Sequence, residues 1–184
     1  MDSSFGTLQC TLLDRRSSVP LAGARVMCVG RDGRVHVFNA DASGTFTAQV
    51  PEGAYDLVIS ARGYLSLTVR GIGILGGHEQ DVVRGLVPGE GQTLEGEPAT
   101  AIVGVVRDRI GHAVGNVMIH VNADDGSTAY TTRTDRGGAF VLNGVVPGMY
   151  DLIARTGDRT LALEHVPIAD TRTLVRVDLK IVQL

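Results

Sequence analysis

The sequence predicts an all-β chain: two tandem antiparallel β-sandwich domains with little or no helix. Three observations carry that reading. First, one pattern occurs twice. Asp41-Ala42-Ser43-Gly44-Thr45-Phe46 leads to Pro51-Glu52-Gly53-Ala54-Tyr55-Asp56-Leu57, and Asp135-Arg136-Gly137-Gly138-Ala139-Phe140 leads to Pro147-Gly148-Met149-Tyr150-Asp151-Leu152. The offset is 94 residues between the phenylalanines and 95 between the tyrosines, too long for a solenoid unit and suited to a small sandwich domain. Second, short alternating apolar segments are punctuated by turn residues, and the chain holds 24 glycines, as many tight turns between short strands require. Third, no stretch of about 12 residues or more keeps a helical period.

The elements follow in order. Thr7 to Leu12 alternates polar and apolar like a half-buried strand, Asp14 to Ser18 is a loop, and Ala24 to Val29 is a second strand. Asp32-Gly33, before Val35 to Phe38, is a short hairpin signal. Asp41 to Gly44 turns into a strand from Thr45 to Val50, and Pro51 to Gly53 turns into Tyr55 to Ser60. Leu65 to Val69 comes next, then a glycine-rich loop from Arg70, then a strand near Asp81 to Leu86. The second copy repeats this course through Ala101 to Val106, Asn116 to Val121, the Asp125-Gly126 hairpin, Tyr130 to Arg133, Ala139 to Leu142 and Tyr150 to Arg155. It ends on one long strand, Leu174 to Ile181, with Val175, Val177, Leu179 and Ile181 on one face and Arg176, Asp178 and Lys180 on the other. Residues 4–87 and 99–184 are the two domains, and the Gly-, Glu- and Pro-rich residues 88–98 have linker composition.

Composition narrows the function classes. The formal net charge is −3 and Lys180 is the only lysine, which argues against the basic footprint of a nucleic-acid binder. No run approaches the apolar length of a membrane span. The amino terminus shows no basic stretch followed by an apolar one, so a cytoplasmic location is expected. Cys10 and Cys28 both fall in apolar strands of the first copy, where the second has Gly104 and His120. They are expected as buried reduced thiols, a bridge between neighbouring strands being the other reading.

Further motifs join the repeated pair: Val19-Pro20-Leu21-Ala22-Gly23-Ala24-Arg25-Val26 and Ala113-Val114-Gly115-Asn116-Val117-Met118, then Asn39-Ala40-Asp41 to Phe46 and Thr134-Asp135 to Phe140. Together these resemble the carboxypeptidase regulatory-like domain, a small sandwich of the transthyretin (prealbumin) type; Pro51 to Tyr55 with Arg62-Gly63-Tyr64 is also similar to PEGA domains. The resemblance implies fold more than function, since such modules are mostly accessory and binding units. The motif residues have structural tasks. Asp41 and Asp135 start turns, Gly44 and Gly138 supply positive φ, and Tyr55 and Tyr150 place rings in the core with hydroxyls reaching the backbone, as in a tyrosine corner.

Chemical motifs are weak. Gly71-Ile72-Gly73-Ile74-Leu75-Gly76 matches the dinucleotide fingerprint in letters, but nothing after it can form the required helix. His36, His78, His112, His120 and His165 are scattered and expected to stand isolated; a zinc site needs three or four converging donors. Asp32 and Asp124-Asp125 are turn residues. Relatives by fold that hydrolyse hydroxyisourate end in Tyr-Arg-Gly-Ser, whereas this chain ends in Ile181-Val182-Gln183-Leu184. The ring-opening dioxygenases of that build need two close histidines. The lysine–asparagine cross-link of pilus repeats needs a first-strand lysine, absent from both copies. No catalytic residue, cofactor or metal is therefore expected. The chain reads as a non-enzymatic adaptor making protein–protein contacts in a multi-subunit assembly, such as a phage-tail-like or secretion particle assembled in the cytoplasm. Carbohydrate or cell-envelope binding is the alternative, though the chain has no Trp. The expected contact residues are Arg70, Ile72, Ile74 and Leu75 in the glycine-rich loop, Leu94 in the linker, and Arg176, Asp178 and Lys180 on the last strand. Partner identity and oligomeric state are left open.

Overall fold

The computed structural model describes residues 4–127, 129–157, 159–169 and 174–181. It is built of strands, and its two compact units are Met1–Pro98 and Ala99–Leu184. Unit 1 contains Phe5–Asp14 (β1), Arg25–Gly30 (β2), Val35–Asn39 (β3), Thr45–Pro51 (β4), Gly53–Ser60 (β5), Ser66–Ile74 (β6), Glu79–Leu86 (β7) and Thr93–Glu95 (β8). Unit 2 contains Thr100–Arg107 (β9), Met118–Ala123 (β10), Ala129–Arg133 (β11), Ala139–Val145 (β12), Gly148–Thr156 (β13), Arg159–Ile168 (β14), Leu174–Arg176 (β15) and Leu179–Lys180 (β16).

Each unit is two sheets. In unit 1 the sheet β4-β1-β7 faces the sheet β3-β2-β5-β6-β8. In unit 2 β12-β9-β15, with β16 also on β9, faces β11-β10-β13-β14. Strand β1 buries every second residue, so Leu8, Cys10 and Leu12 point inward to a core shared with Val26, Cys28, Leu57, Ile59, Ile72 and Ile74. Ile102, Val106, Ile119, Val121, Phe140, Tyr150 and Leu152 do the same in unit 2. Full burial of such side chains contributes about 1.5–3 kcal/mol each. Both cysteines are buried and unbridged.

The repeated motifs do what their chemistry requires. Asp41 Oδ1 accepts from the Ser43 and Thr45 amides at 2.8 and 3.1 Å, and Asp135 Oδ1 from the Ala139 amide at 2.9 Å. Gly44 and Gly138 follow at φ 72° and 74°. The Tyr55 hydroxyl donates to the Pro51 carbonyl and Tyr150 to Val146, each at 2.8 Å.

Four readings are corrected. The glycine-rich loop is strand: β6 runs through Gly71 to Ile74, with a bulge opposite Asp56 where Gly71 has φ 69°. The linker composition hides β8, which adds in parallel to β6 through Ser66↔Thr93, Leu67↔Leu94 and Thr68↔Glu95. The single terminal strand is two short ones, β15 and β16, both parallel to β9. Finally, β14 pairs with β13 where no strand was read.

The interruption between β15 and β16 has a cause on β9. Register is kept across it, from Arg176↔Val103 to Leu179↔Val106. The Val177 carbonyl leans over Gly104 into the place a Cβ would occupy, beside the Phe140 ring. The Val105 amide, facing that gap, is satisfied by the Asp178 carboxylate at 2.9 Å.

Candidate functional site

The expected contact residues do not form one site. Ile72, Ile74 and Leu75 are buried in unit 1, because the strand that replaces the expected loop turns them inward. Arg70, beside them, faces away from that core. Its guanidinium bonds the Asp56 carboxylate at 3.1 Å, Glu95 at 2.9 Å and the Gly96 carbonyl at 2.9 Å, tying β5, β6 and the β8 segment together. The Gly71 amide bonds the other Asp56 oxygen at 3.3 Å. Leu94 is exposed on β8. In unit 2, Arg176 and Lys180 are exposed on β15 and β16, and exposed Asp178 serves the Val105 amide.

Sheet edges offer more than those residues do. Val35 and Val37 on β3, Val83 on β7, Leu94 on β8 and Leu163 on β14 are large apolar side chains exposed on edge strands. Unpaired edge amides and carbonyls are templates for another strand. Among the described residues β14, ten residues long, pairs only with β13. Its counterpart in unit 1, β6, carries β8 on that side.

The outer face of β13 and β14 also gathers polar groups. Asp151 and His165 are cross-strand partners, and Asp124 follows the end of β10, its amide bonded to the Met149 carbonyl at 3.0 Å. Donor atoms of Asp124, Asp151 and His165 all lie within 4.8 Å of one another. His165 Nδ1 meets Asp151 Oδ1 as an ion-pair contact, while that oxygen is buried and accepts no hydrogen bond. The expectation of isolated histidines thus fails at His165, and at His112, whose Nδ1 is 3.5 Å from Asp108.

A family model, the carboxypeptidase regulatory-like domain, matches residues 7–85 and again 101–181. The chain belongs to this family. Both units are therefore carboxypeptidase regulatory-like domains. No curated protein sequence matches the chain. Among solved structures, the Bacillus anthracis TIE protein is similar at 15% identity and TM-score 0.39, covering 97% of this chain and 34% of its own. The shaft pilin SpaA from Lactobacillus rhamnosus GG shows 10% identity and TM-score 0.35 over 98% of this chain and 99% of its own. A variant of the major pilin subunit of Bacillus cereus shows 10% identity and TM-score 0.39 over 96% and 99%. Likeness at this level transfers neither partner nor activity. In all, this chain spans about a third of the first of these proteins.

Sequence reasoning missed the Asp–Asp–His cluster and the open β14 edge of the second carboxypeptidase regulatory-like domain. Asp124, Asp151 and His165 are too far apart in sequence to form a motif. The available signal is the repeat itself: His165 stands 95 residues after Arg70, and Asp151 stands 95 after Asp56.

Proposed function

We propose that this chain is a non-enzymatic tandem carboxypeptidase regulatory-like adaptor whose open sheet edge takes a strand from a protein partner in a multi-subunit assembly. The observation that supports it most is β14, a ten-residue edge strand with exposed Leu163 in its middle. The same edge of unit 1 already carries an added parallel strand, β8 on β6. Strand addition draws affinity from main-chain hydrogen bonds and specificity from alternate side chains. A particle assembled in the cytoplasm, of the phage-tail or secretion kind, is the setting proposed for it.

The test is affinity capture of the full chain from its native cell, with cross-links mapped by mass spectrometry. Stoichiometric recovery of particle subunits cross-linked to 159–168, and their loss with Leu163→Lys, supports the reading. Recovery of a monomer alone, or contacts elsewhere that Leu163→Lys leaves intact, overturns it.

A further inference from the structure

The Asp124, Asp151 and His165 cluster can be compared with its counterpart on unit 1. There, two carboxylates, Asp56 and Glu95, close on one permanent cation, Arg70. In unit 2 Asp151 and His165 take the positions of Asp56 and Arg70, and Asp124, just past the end of β10, brings a second carboxylate to the imidazole. A neutral imidazole can ligate a metal ion, which a guanidinium, always protonated, cannot. Asp151 Oδ1 is buried and accepts no hydrogen bond, His165 Nδ1 being its ion-pair contact. Buried oxygens in that state call for an ion or a water.

We propose that Asp124, Asp151 and His165 form a binding site for a divalent transition-metal ion of the zinc class, on the outer face of unit 2. One nitrogen and two carboxylate oxygens suit zinc better than calcium, which prefers six or more oxygens. Ligand atoms about 2.0–2.2 Å from a shared zinc ion stand roughly 3–3.5 Å apart, so small turns of surface side chains close the site. Two donors sit on paired strands, β13 and β14, and the third follows β10, the other neighbour of β13; this holds their backbones fixed. The site is independent of strand addition at β14.

Competing donors are poor. Burial pushes the Cys10 thiol up to about 11 and Cys28 up to about 12, Cys10 adding to the latter. Both thiols therefore stay protonated and enclosed, while Asp108 and His112 offer two donors only.

The test uses the full chain stripped with chelator and titrated calorimetrically with Zn²⁺. One saturable equivalent is expected, weakened at least tenfold by His165→Ala or Asp124→Asn and unchanged by His112→Ala. Ca²⁺ should not compete. In the unmutated chain, the His165 imidazole NMR signals should shift with added Zn²⁺ while those of His36 do not, a readout that needs no variant. Absence of saturable binding, binding indifferent to His165→Ala, or unmoved His165 signals overturns the proposal.

Discussion

The β5–β6 pair of unit 1 and the β13–β14 pair of unit 2 occupy one place in the repeat and treat it differently. In unit 1 the strand carboxylate, Asp56, is buried, bonded to Arg70 and to the Gly71 amide, and walled by the β8 segment. In unit 2 Asp151 is half-buried, its partner is a histidine, and no strand covers β14 among the described residues. A second contrast lies on the opposite sheets. Strand β7 pairs with β1 without interruption from Glu79 to Leu86, whereas β15 and β16 part at Val177, where β9 has Gly104 in place of Cys10. The repeat thus conserves turns and core while leaving edges free to diverge. Edges answer to few neighbours, whereas a core position must fit many at once.

The largest break in this comparison is expected from Arg70→Ala. It removes the Arg70 guanidinium from the buried Asp56 carboxylate and should cost about 3 kcal/mol, read as a lower urea midpoint. His165→Ala, the matching change in unit 2, should stay within about 0.5 kcal/mol in metal-free buffer because the side chain is exposed. Equal losses would show that the two pairs do the same work. Gly104→Ala follows, at about 2 kcal/mol, since the new Cβ meets the Val177 carbonyl. Hydrogen exchange should then rise in β15 and β16; Cys10→Ala should cost only about 1 kcal/mol.

Tyr55→Phe and Tyr150→Phe sharpen the comparison from the conserved side. Each removes one hydroxyl-to-carbonyl bond of 2.8 Å and should cost about 1 kcal/mol, nearly the same in both units by denaturant unfolding. A marked difference would mean that the corners are not equivalent.

The smallest effect is in acid. Hydrogen bonds from the Ser17 amide, the Tyr64 hydroxyl and the Arg16 amide hold the Asp14 carboxyl below its ordinary value of 3.8, and Ser43 does the same for Asp41. In unit 2 Ser127 does so for Asp125. A depressed folded-state value means that the unfolded chain binds the proton first. The stability these groups contribute is therefore complete above the ordinary value and lost as pH falls below it. Thermal melts between pH 6 and about 3 should fall, and Asp14→Asn or Asp41→Asn should flatten the slope.

What the sequence disclosed was local. Asp32-Gly33, the Asp41 and Asp135 turns and the two tyrosine corners each depend on neighbours a few residues away, and each is where it was expected. What it concealed depends on register. In β14 the even positions Val166 and Ile168 face inward, but Leu161, at the register shift opposite Ala154 and Arg155, does so too, and Leu163 is left exposed. That change of parity erases the alternation by which strands are recognised. Strand β8 is three residues in a polar setting, its place set by Arg70 gripping Glu95 and Gly96. The approach of His165 to Asp151 required knowing that β13 and β14 pair at all.

Both thiols of the chain lie in one core, that of unit 1, and unit 2 has none. Nature has thereby left a selective clock in the molecule. An alkylating reagent in excess can react only when the first sandwich parts far enough to admit it. The labelling rate of the unmodified protein times the breathing of unit 1 alone, with no probe attached, and any partner that clasps that unit would announce itself by slowing the count.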